Sequence, residues 1–113
     1  MAVQRLQLSA VGVSAPFSLP MKNQIYAGAG ISLLLNFSGG GPAVATATVQ
    51  VSNDTVAFST PVSARWNNHD VLVGLTADKN SSIVYPINCI RLQLTAWTSG
   101  IVTLDIGYFD YSL

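Results

Sequence analysis

The sequence predicts an all-β fold, a single antiparallel β-sandwich of jelly-roll type with about eight strands. Apolar and polar residues alternate with period two along much of the chain, which is the pattern of strands that pack on one face. Glutamate is absent, and lysine and arginine together number five, so no window favours a helix. Short turn-forming segments such as 39–42 separate the alternating runs, which is typical of sandwiches and jelly rolls.

The last two strands are the most clearly predicted. The ranges 87–97 and 101–109 alternate strongly, and a short loop through Gly100 separates them. Glycine tolerates the positive φ that tight turns often require, so these two ranges are predicted to form a β-hairpin. The predicted core residues of this hairpin are Leu92, Leu94, Val102 and Leu104.

Six further strands are predicted upstream of this hairpin. Alternation is clear in the range 43–52, where small polar residues alternate with apolar ones. The range 69–76 repeats the pattern through Val71, Val73 and Leu75, which predicts that these residues face the core. The polar run 78–81 that follows predicts a turn. The six predicted strands are 3–11, 24–27, 30–37, 43–52, 55–60 and 69–76.

Charge is scarce for a chain of this size. Only 9% of the 113 residues are charged, and five bases offset five acids, whereas about 25% are charged in an ordinary soluble domain. A neutral surface of this kind favours association between molecules. The bases form no basic stripe, so no nucleic-acid partner is expected. The 113 residues are enough for one domain and too few for two, so a single domain over 1–113 is predicted. No apolar run reaches the roughly 20 residues of a membrane span, and no secretion signal is visible. We therefore expect a protein made in the cytoplasm without a membrane partner.

The sequence offers no constellation with recognisable chemistry. One histidine, His69, precedes Asp70, but no nucleophile motif accompanies them. One histidine and one cysteine, Cys89, do not make a zinc site or an internal disulfide. Asp78 and Asn80 offer oxygens to a calcium ion, yet a polar turn is the better interpretation. We therefore expect no catalytic residue, no metal and no cofactor.

Aromatic residues are the remaining candidates for function. Three aromatics fall within four residues near the end of the printed chain, at 108–111. An extended segment exposes at least one of them, which favours a partner surface. The alternative is that individual aromatics anchor loops or cap the core, as Trp97 and Tyr108 would on the last two strands. The candidate interface residues are Tyr108, Phe109, Tyr111, Trp66 and Tyr85.

Two segments carry a resemblance to known proteins. Residues 49–54, followed by Trp66, and residues 85–95, followed by 98–104, resemble the decoration or cement proteins that bind the capsids of tailed bacteriophages. The resemblance implies a jelly-roll-like sandwich that binds the major capsid protein and itself, as a dimer or trimer, on the surface of the virion. It implies a structural role without enzymatic activity.

The same pieces also resemble discoidin-like, galactose-binding sandwich modules. The run Val-Gln-Val-Ser-Asn-Asp at 49–54 and Ile-Arg-Leu at 90–92 match the strands of such modules. Their paired cysteines and basic loop clusters are missing here. The alternative function is therefore a receptor- or glycan-binding module of a phage tail or fibre.

Both ends of the printed chain are predicted to contact a neighbouring subunit or the capsid. Residues 1–7 begin an alternating pattern almost at once, and residues 108–113 are rich in aromatics. Strand pairing across a subunit boundary would satisfy exposed edges. The alternative is that both segments are edge strands of their own sandwich.

Overall fold

The computed structural model of the chain describes residues 2–19, 30–38, 44–84 and 87–108. This part of the chain is all-β, with two antiparallel sheets that pack face to face, and it contains no α-helix. The prediction of an all-β sandwich is confirmed.

Nine strands and one short 3₁₀ helix, Pro61–Ser63, make up the described structure. The strands are β1 (Ala2–Leu8), β2 (Gly12–Val13), β3 (Phe17–Ser18), β4 (Ile31–Ser38), β5 (Val44–Ser52), β6 (Asn67–Asn68), β7 (Lys79–Ile83), β8 (Cys89–Ser99) and β9 (Ile101–Tyr108). The predicted strands 30–37 and 43–52 correspond to β4 and β5. The predicted strand 24–27 lies outside the described residues.

The order of strands is that of a jelly roll. One sheet has the order β1-β9-β4-β7, and the other has β2-β8-β5-β6 with β3 also paired to β8. The antiparallel partners are nested along the chain: β1 with β9, β2 and β3 with β8, β4 with β7, and β5 with β6. The chain therefore resembles one long hairpin rolled into two layers, and β2 and β3 together occupy one of its eight positions.

The core lies between the two sheets and is built from the apolar row of each strand. The four predicted core residues are all buried, and Leu92, Val102 and Leu104 have no exposed surface. In β4 the alternation is regular from Ile31 to Leu35, since Ile31, Leu33 and Leu35 are buried whereas Ser32 and Leu34 are exposed. Burial on one face explains the period-two pattern.

The predicted hairpin of the last two strands is wrong, although both strands exist. β8 belongs to one sheet and β9 to the other, so the chain crosses from sheet to sheet at Gly100. Gly100 has a φ of +92°, and its carbonyl accepts a hydrogen bond of 2.9 Å from Nε1 of Trp97. We call this connection between the two sheets an arch. Both strands turn their apolar rows toward the one core that the sheets share, as the two strands of a hairpin would, so alternation alone does not distinguish an arch from a hairpin.

Two other predictions fail because local polarity was a poor guide to pairing. The predicted strand 55–60 is a series of turns, in which the amide of Thr60 donates to the carbonyl of Val56 at 2.8 Å. The predicted turn over 78–81 instead enters strand β7, which pairs with β4 over five residues. β7 lies at the edge of its sheet, where polar residues are accepted on the exposed face.

The predicted strand 69–76 is a strongly bulged edge segment beside β5. Backbone hydrogen bonds attach it through His69 and Leu72 to Val49, and through Leu75 to Ala47. The attachment points are three residues apart on this segment, but on β5 the first two share Val49 and the third lies two residues away. Two residues of the segment loop out between successive attachments, as in consecutive β-bulges.

This bulged geometry overturns the predicted facing of two of the three apolar residues, while the third, Leu75, packs against the core as predicted. Val71 and Val73, predicted to face the core, are 41% and 43% exposed, whereas Leu72 is fully buried. The residues that face inward follow a period of three, because the backbone is not extended. The period-two spacing of Val71 and Val73 therefore did not indicate burial, because both side chains face solvent.

Candidate binding surface at one end of the sandwich

The strands define two ends of the sandwich. β8 ends at Ser99 and β9 begins at Ile101, with Gly100 alone between them, so these two positions lie at the same end. The other ends of β8 and β9 therefore lie at the opposite end. In the registers, Ser52 pairs with the first residue of β8 and Ala2 pairs with Tyr108. We call the end that holds Ala2, Ser52 and Tyr108 the terminal end.

A loop of residues 53–66 leaves β5 at the terminal end and is held in one conformation by its own hydrogen bonds. The carboxylate of Asp54 accepts a hydrogen bond from the backbone amide of Arg65, which closes the base of the loop. The indole Nε1 of Trp66 donates to the carbonyl of Pro61 at 2.9 Å. The side-chain amide Nδ2 of Asn88, on the segment that leads to β8, donates to the backbone carbonyl of Asp54 at 2.7 Å. The loop is therefore fixed both internally and to the sheet.

The 53–66 loop presents apolar side chains to solvent. Val62 is 94% exposed, Phe58 is 60% exposed and Val56 is 40% exposed, while Ala57 is buried beneath them. No charged residue occurs in the ten positions 55–64. An exposed apolar surface on a fixed loop marks an interaction site more strongly than isolated exposed valines do. The sequence signal is this uncharged run around Phe58, of which residues 55–60 are predicted as a strand.

Trp66, a predicted interface residue, serves mainly to anchor the 53–66 loop. It is half-buried, and the guanidinium carbon of Arg91 lies 4.1 Å from the ring centroid. Nε of Arg91 donates to Oε1 of Gln50 at 2.8 Å, and Gln50 donates to Asn68 at 3.1 Å. Partial burial lowers the pKa of Arg91. One face of the indole is therefore occupied by the protein itself, as in a cation–π contact.

Tyr108 is the other predicted interface residue whose side chain the structure describes. It is half-buried and packs against the core, with its ring centroid 5.3 Å from that of Phe17. Phe109, Tyr111 and Tyr85 lie outside the described residues. On either side of Tyr85, the nearest described residues are Val84, which is 66% exposed, and Ile87, which is buried.

A shallow polar cleft adjoins the base of the 53–66 loop. Its volume is about 310 Å³. Within the described structure, the guanidinium of Arg65 and the side-chain amides of Asn53 and Asn67 make no hydrogen bond, and one oxygen of Asp54 is likewise free. The apolar floor is formed by Val51 and Ile87, and the full lining is Val51, Ser52, Asn53, Asp54, Arg65, Asn67, Asn68 and Ile87.

His69 is a structural residue in this arrangement. It is 2% exposed, and its Nδ1 accepts hydrogen bonds of 3.1 Å from the backbone amides of Val71 and Leu72. The ring Nε2 lies 3.0 Å from the carbonyl of Ser82, to which it donates. These partners assign the neutral tautomer with the proton on Nε2. Both ring nitrogens therefore have backbone hydrogen-bond partners. Asp70 is exposed, and its Oδ1 lies 3.4 Å from Nδ1 of His69.

The described residues contain no cluster of three or more side chains suited to hold a metal ion. Cys89 is fully buried, and burial raises the pKa of its thiol. No helix in the described part of the chain is long and apolar enough to span a membrane.

The fold and this end surface define the protein as a jelly-roll β-sandwich with an apolar loop at one end. Comparison of the chain with models of protein families, with curated proteins and with solved structures finds no match.

Proposed function

We propose that this chain is a non-enzymatic structural protein of a tailed bacteriophage, made in the host cytoplasm, that binds the outer surface of the capsid and stabilises the shell. The proposed partners are the major capsid protein and further copies of the same chain. The observation that carries the proposal is the 53–66 loop at the terminal end, which is held by its own hydrogen bonds, has no charge over positions 55–64, and exposes Val62 and Phe58.

Fixation of the loop favours binding. A loop held by the Asp54 and Trp66 hydrogen bonds loses little conformational freedom when it docks, so more of the contact energy appears as affinity. Exposed phenylalanine and valine on such a loop fit an apolar depression between capsid subunits. The centre of a protein interface is depleted in charge and enriched in aromatic side chains, and the loop has this composition.

The neutral surface supports the same function. Decoration requires many copies side by side on one shell, and a chain with five acids and five bases has little net repulsion between copies. The resemblance of residues 49–54 and 85–104 to decoration proteins agrees with this role.

The proposal is tested with a double variant of the loop, Phe58→Ser with Val62→Ser. Both side chains are exposed, so the variant should fold normally. Its affinity for phage particles that lack the protein should fall about 30-fold or more, since truncation of an interface hot spot costs about 2 kcal/mol or more. The measurement is co-sedimentation with purified particles, together with the copy number of the native protein per virion by quantitative mass spectrometry.

The matched control carries the same chemical change at the opposite end, Val44→Ser with Ile101→Ser. These residues are 54% and 40% exposed. The control should bind particles as the native chain does. Equal binding by the loop variant, or only a handful of copies per virion, would refute capsid decoration through this loop.

A second candidate function is glycan binding in the cleft at the base of the loop. The free groups of Arg65, Asn53, Asn67 and Asp54 combine donors and acceptors with no net charge, and the apolar floor suits the faces of a sugar ring. Asn67→Ala should then weaken binding to host surface polysaccharide while particle binding is unchanged. If the native chain shows no binding on a glycan array, this second candidate is excluded.

A further inference from the structure

The described sandwich has four strand edges, and three of them carry features that block pairing with another strand. β7 is short and carries Lys79. β2 and β3 are separated by residues 14–16, which include Pro16. Beyond β6 the edge is bulged over residues 69–75. Lysine, proline, bulges and short length are the usual protections of an edge.

The fourth edge, β1, lacks these protections. It pairs with β9 over seven consecutive residues from Ala2 to Leu8, without a register shift. It contains no proline, and Arg5 is its one charged residue. A regular seven-residue edge is long enough to template another strand.

The direction of the backbone groups on β1 follows from a contact on β4. The amide of Phe37 donates to the carboxylate of Asp78 at 2.8 Å, next to β7, so this amide points away from β9. Its partner on β9, Val102, therefore points its own backbone groups away from β4 and toward β1, where it pairs with Leu8. Antiparallel ladders alternate between hydrogen-bonded and non-hydrogen-bonded pairs.

This alternation assigns the free groups of β1. Gln4 and Leu6 point their backbone groups toward β9, as Leu8 does, whereas Val3, Arg5 and Gln7 point theirs outward. No described strand pairs with β1 on that side, because β1 is the end of its sheet, and no backbone hydrogen bond from the other described residues reaches it. Three amides and three carbonyls thus form one open row.

The single charge on β1 leaves this row accessible. Nε of Arg5 lies 2.7 Å from Oδ1 of Asp105 on β9, and its second nitrogen donates to Oδ2 at 3.2 Å. The side chain therefore leans over its own sheet and away from the open row. The carboxylate raises the pKa of Arg5 through this hydrogen bond and through its charge.

We propose that β1 pairs antiparallel with β1 of a second copy of this chain, so that two four-stranded sheets become one eight-stranded sheet across a two-fold axis. The row is complementary to itself under such an axis, because each amide meets a carbonyl of the copy. With the axis at Arg5, Val3 faces Gln7 of the copy and all six groups of each chain are paired. Each guanidinium remains bound to its own Asp105, which offsets the proximity of the two arginines.

This inference concerns the protein in isolation and does not rest on the proposed binding to capsids. Of the dimer and the trimer expected from the sequence, the inference favours the dimer. It also makes the expectation for the first residues of the chain more specific. Strand β1, Ala2–Leu8, is an edge strand of its own sandwich, and the same strand joins two copies.

The test compares Gln7→Pro with Gln7→Thr in the full chain. Both substitutions remove the 3.3 Å hydrogen bond from Gln7 to Thr103, but only proline also removes an outward amide, and an edge strand accepts proline at an outward amide. The native chain and Gln7→Thr should be dimers in analytical ultracentrifugation. Gln7→Pro should dimerise about tenfold more weakly or worse, because the two-fold axis removes two equivalent hydrogen bonds at once.

Amide hydrogen exchange of the native chain keeps the inference testable if Gln7→Pro fails to fold. Dilution below the dissociation constant should accelerate exchange at Val3, Arg5 and Gln7 and leave Gln4 and Leu6 protected. A native chain that is monomeric at all concentrations overturns the inference. Exchange of the three outward amides that does not depend on protein concentration also overturns the inference. If that exchange is always slow, another part of the same chain covers the row, and if it is always fast, nothing covers it.

Discussion

At the scale of single residues, His69 shows how a chemically versatile side chain can be used for structure alone. Its two nitrogens satisfy two amides and one carbonyl in a segment that has no regular ladder. Because backbone groups buried without a partner are costly, the imidazole replaces the hydrogen bonds that the bulged segment loses. The position of His69 next to Asp70 along the chain does not indicate this role.

His69→Ala should destabilise the protein because Val71, Leu72 and Ser82 lose their partner. Each buried group left unsatisfied costs about 1–3 kcal/mol, less where water enters the space. The measurement is the free energy of unfolding from urea denaturation. Asp70→Asn, next to it and exposed, is the control and should change stability by less than about 0.5 kcal/mol. Equal stability of the two variants would show that the imidazole contacts are not formed.

At the scale of elements, the connection between β8 and β9 decides the architecture. A hairpin at Gly100 would place both strands in one sheet, whereas the observed arch places one strand in each sheet. The turn is compact, with a positive φ at Gly100 and the indole of Trp97 bonded to its carbonyl. The nested pairing of the jelly roll depends on this crossing, because β9 must lie between β1 and β4.

Gly100→Ala tests the arch. A side chain in the left-handed region costs about 1–2 kcal/mol, so the free energy of unfolding should fall by this amount. In urea denaturation the midpoint should then move to a lower concentration while the slope is unchanged. The exposed neighbour provides the control, since Thr98→Ala removes a side chain from an ordinary strand conformation and should have little effect. An undiminished midpoint for Gly100→Ala would mean that φ at this position is negative.

At the scale of the whole molecule, stability rests on apolar burial and backbone pairing, with little contribution from charge. In the described part of the chain, the pair of Arg5 and Asp105 is the one ion pair between an arginine or lysine and a carboxylate. It is exposed on the arginine side, and salt screens such pairs. The same scarcity of charge applies to the surfaces that we propose for the capsid and for dimerisation.

We therefore expect the stability and self-association of the protein to be nearly independent of sodium chloride. Between about 0.05 M and about 0.5 M, the free energy of unfolding and the dimer dissociation constant should be unchanged within error, although the Debye length shortens severalfold. Sodium sulfate is the informative contrast, because it strengthens apolar burial and should raise stability. A marked loss of either property in sodium chloride would show that charges outside the described residues dominate.

Much of the fold could be predicted from the sequence, because burial on one face imposes a period of two. β4, β5, β8 and β9 were predicted nearly to their ends, and so were the core leucines at positions 92, 94 and 104. The candidate surface was predicted only in part. The sequence identifies Trp66 but not its role as an anchor for the loop. It places exposed Val56 and Phe58 in a strand and gives no indication of exposed Val62.

The sequence by itself determined the class of the protein: an all-β sandwich, poor in charge, with no recognisable catalytic or metal-binding motif. Tertiary structure alone decided which strands are neighbours, that Gly100 joins two sheets, and that the segment after β6 follows a period of three. The physical reason is that alternation records only whether a side chain faces the core. Pairing partners, bulges and open edges depend on backbone hydrogen bonds between residues far apart in the chain, and side-chain polarity carries no record of them.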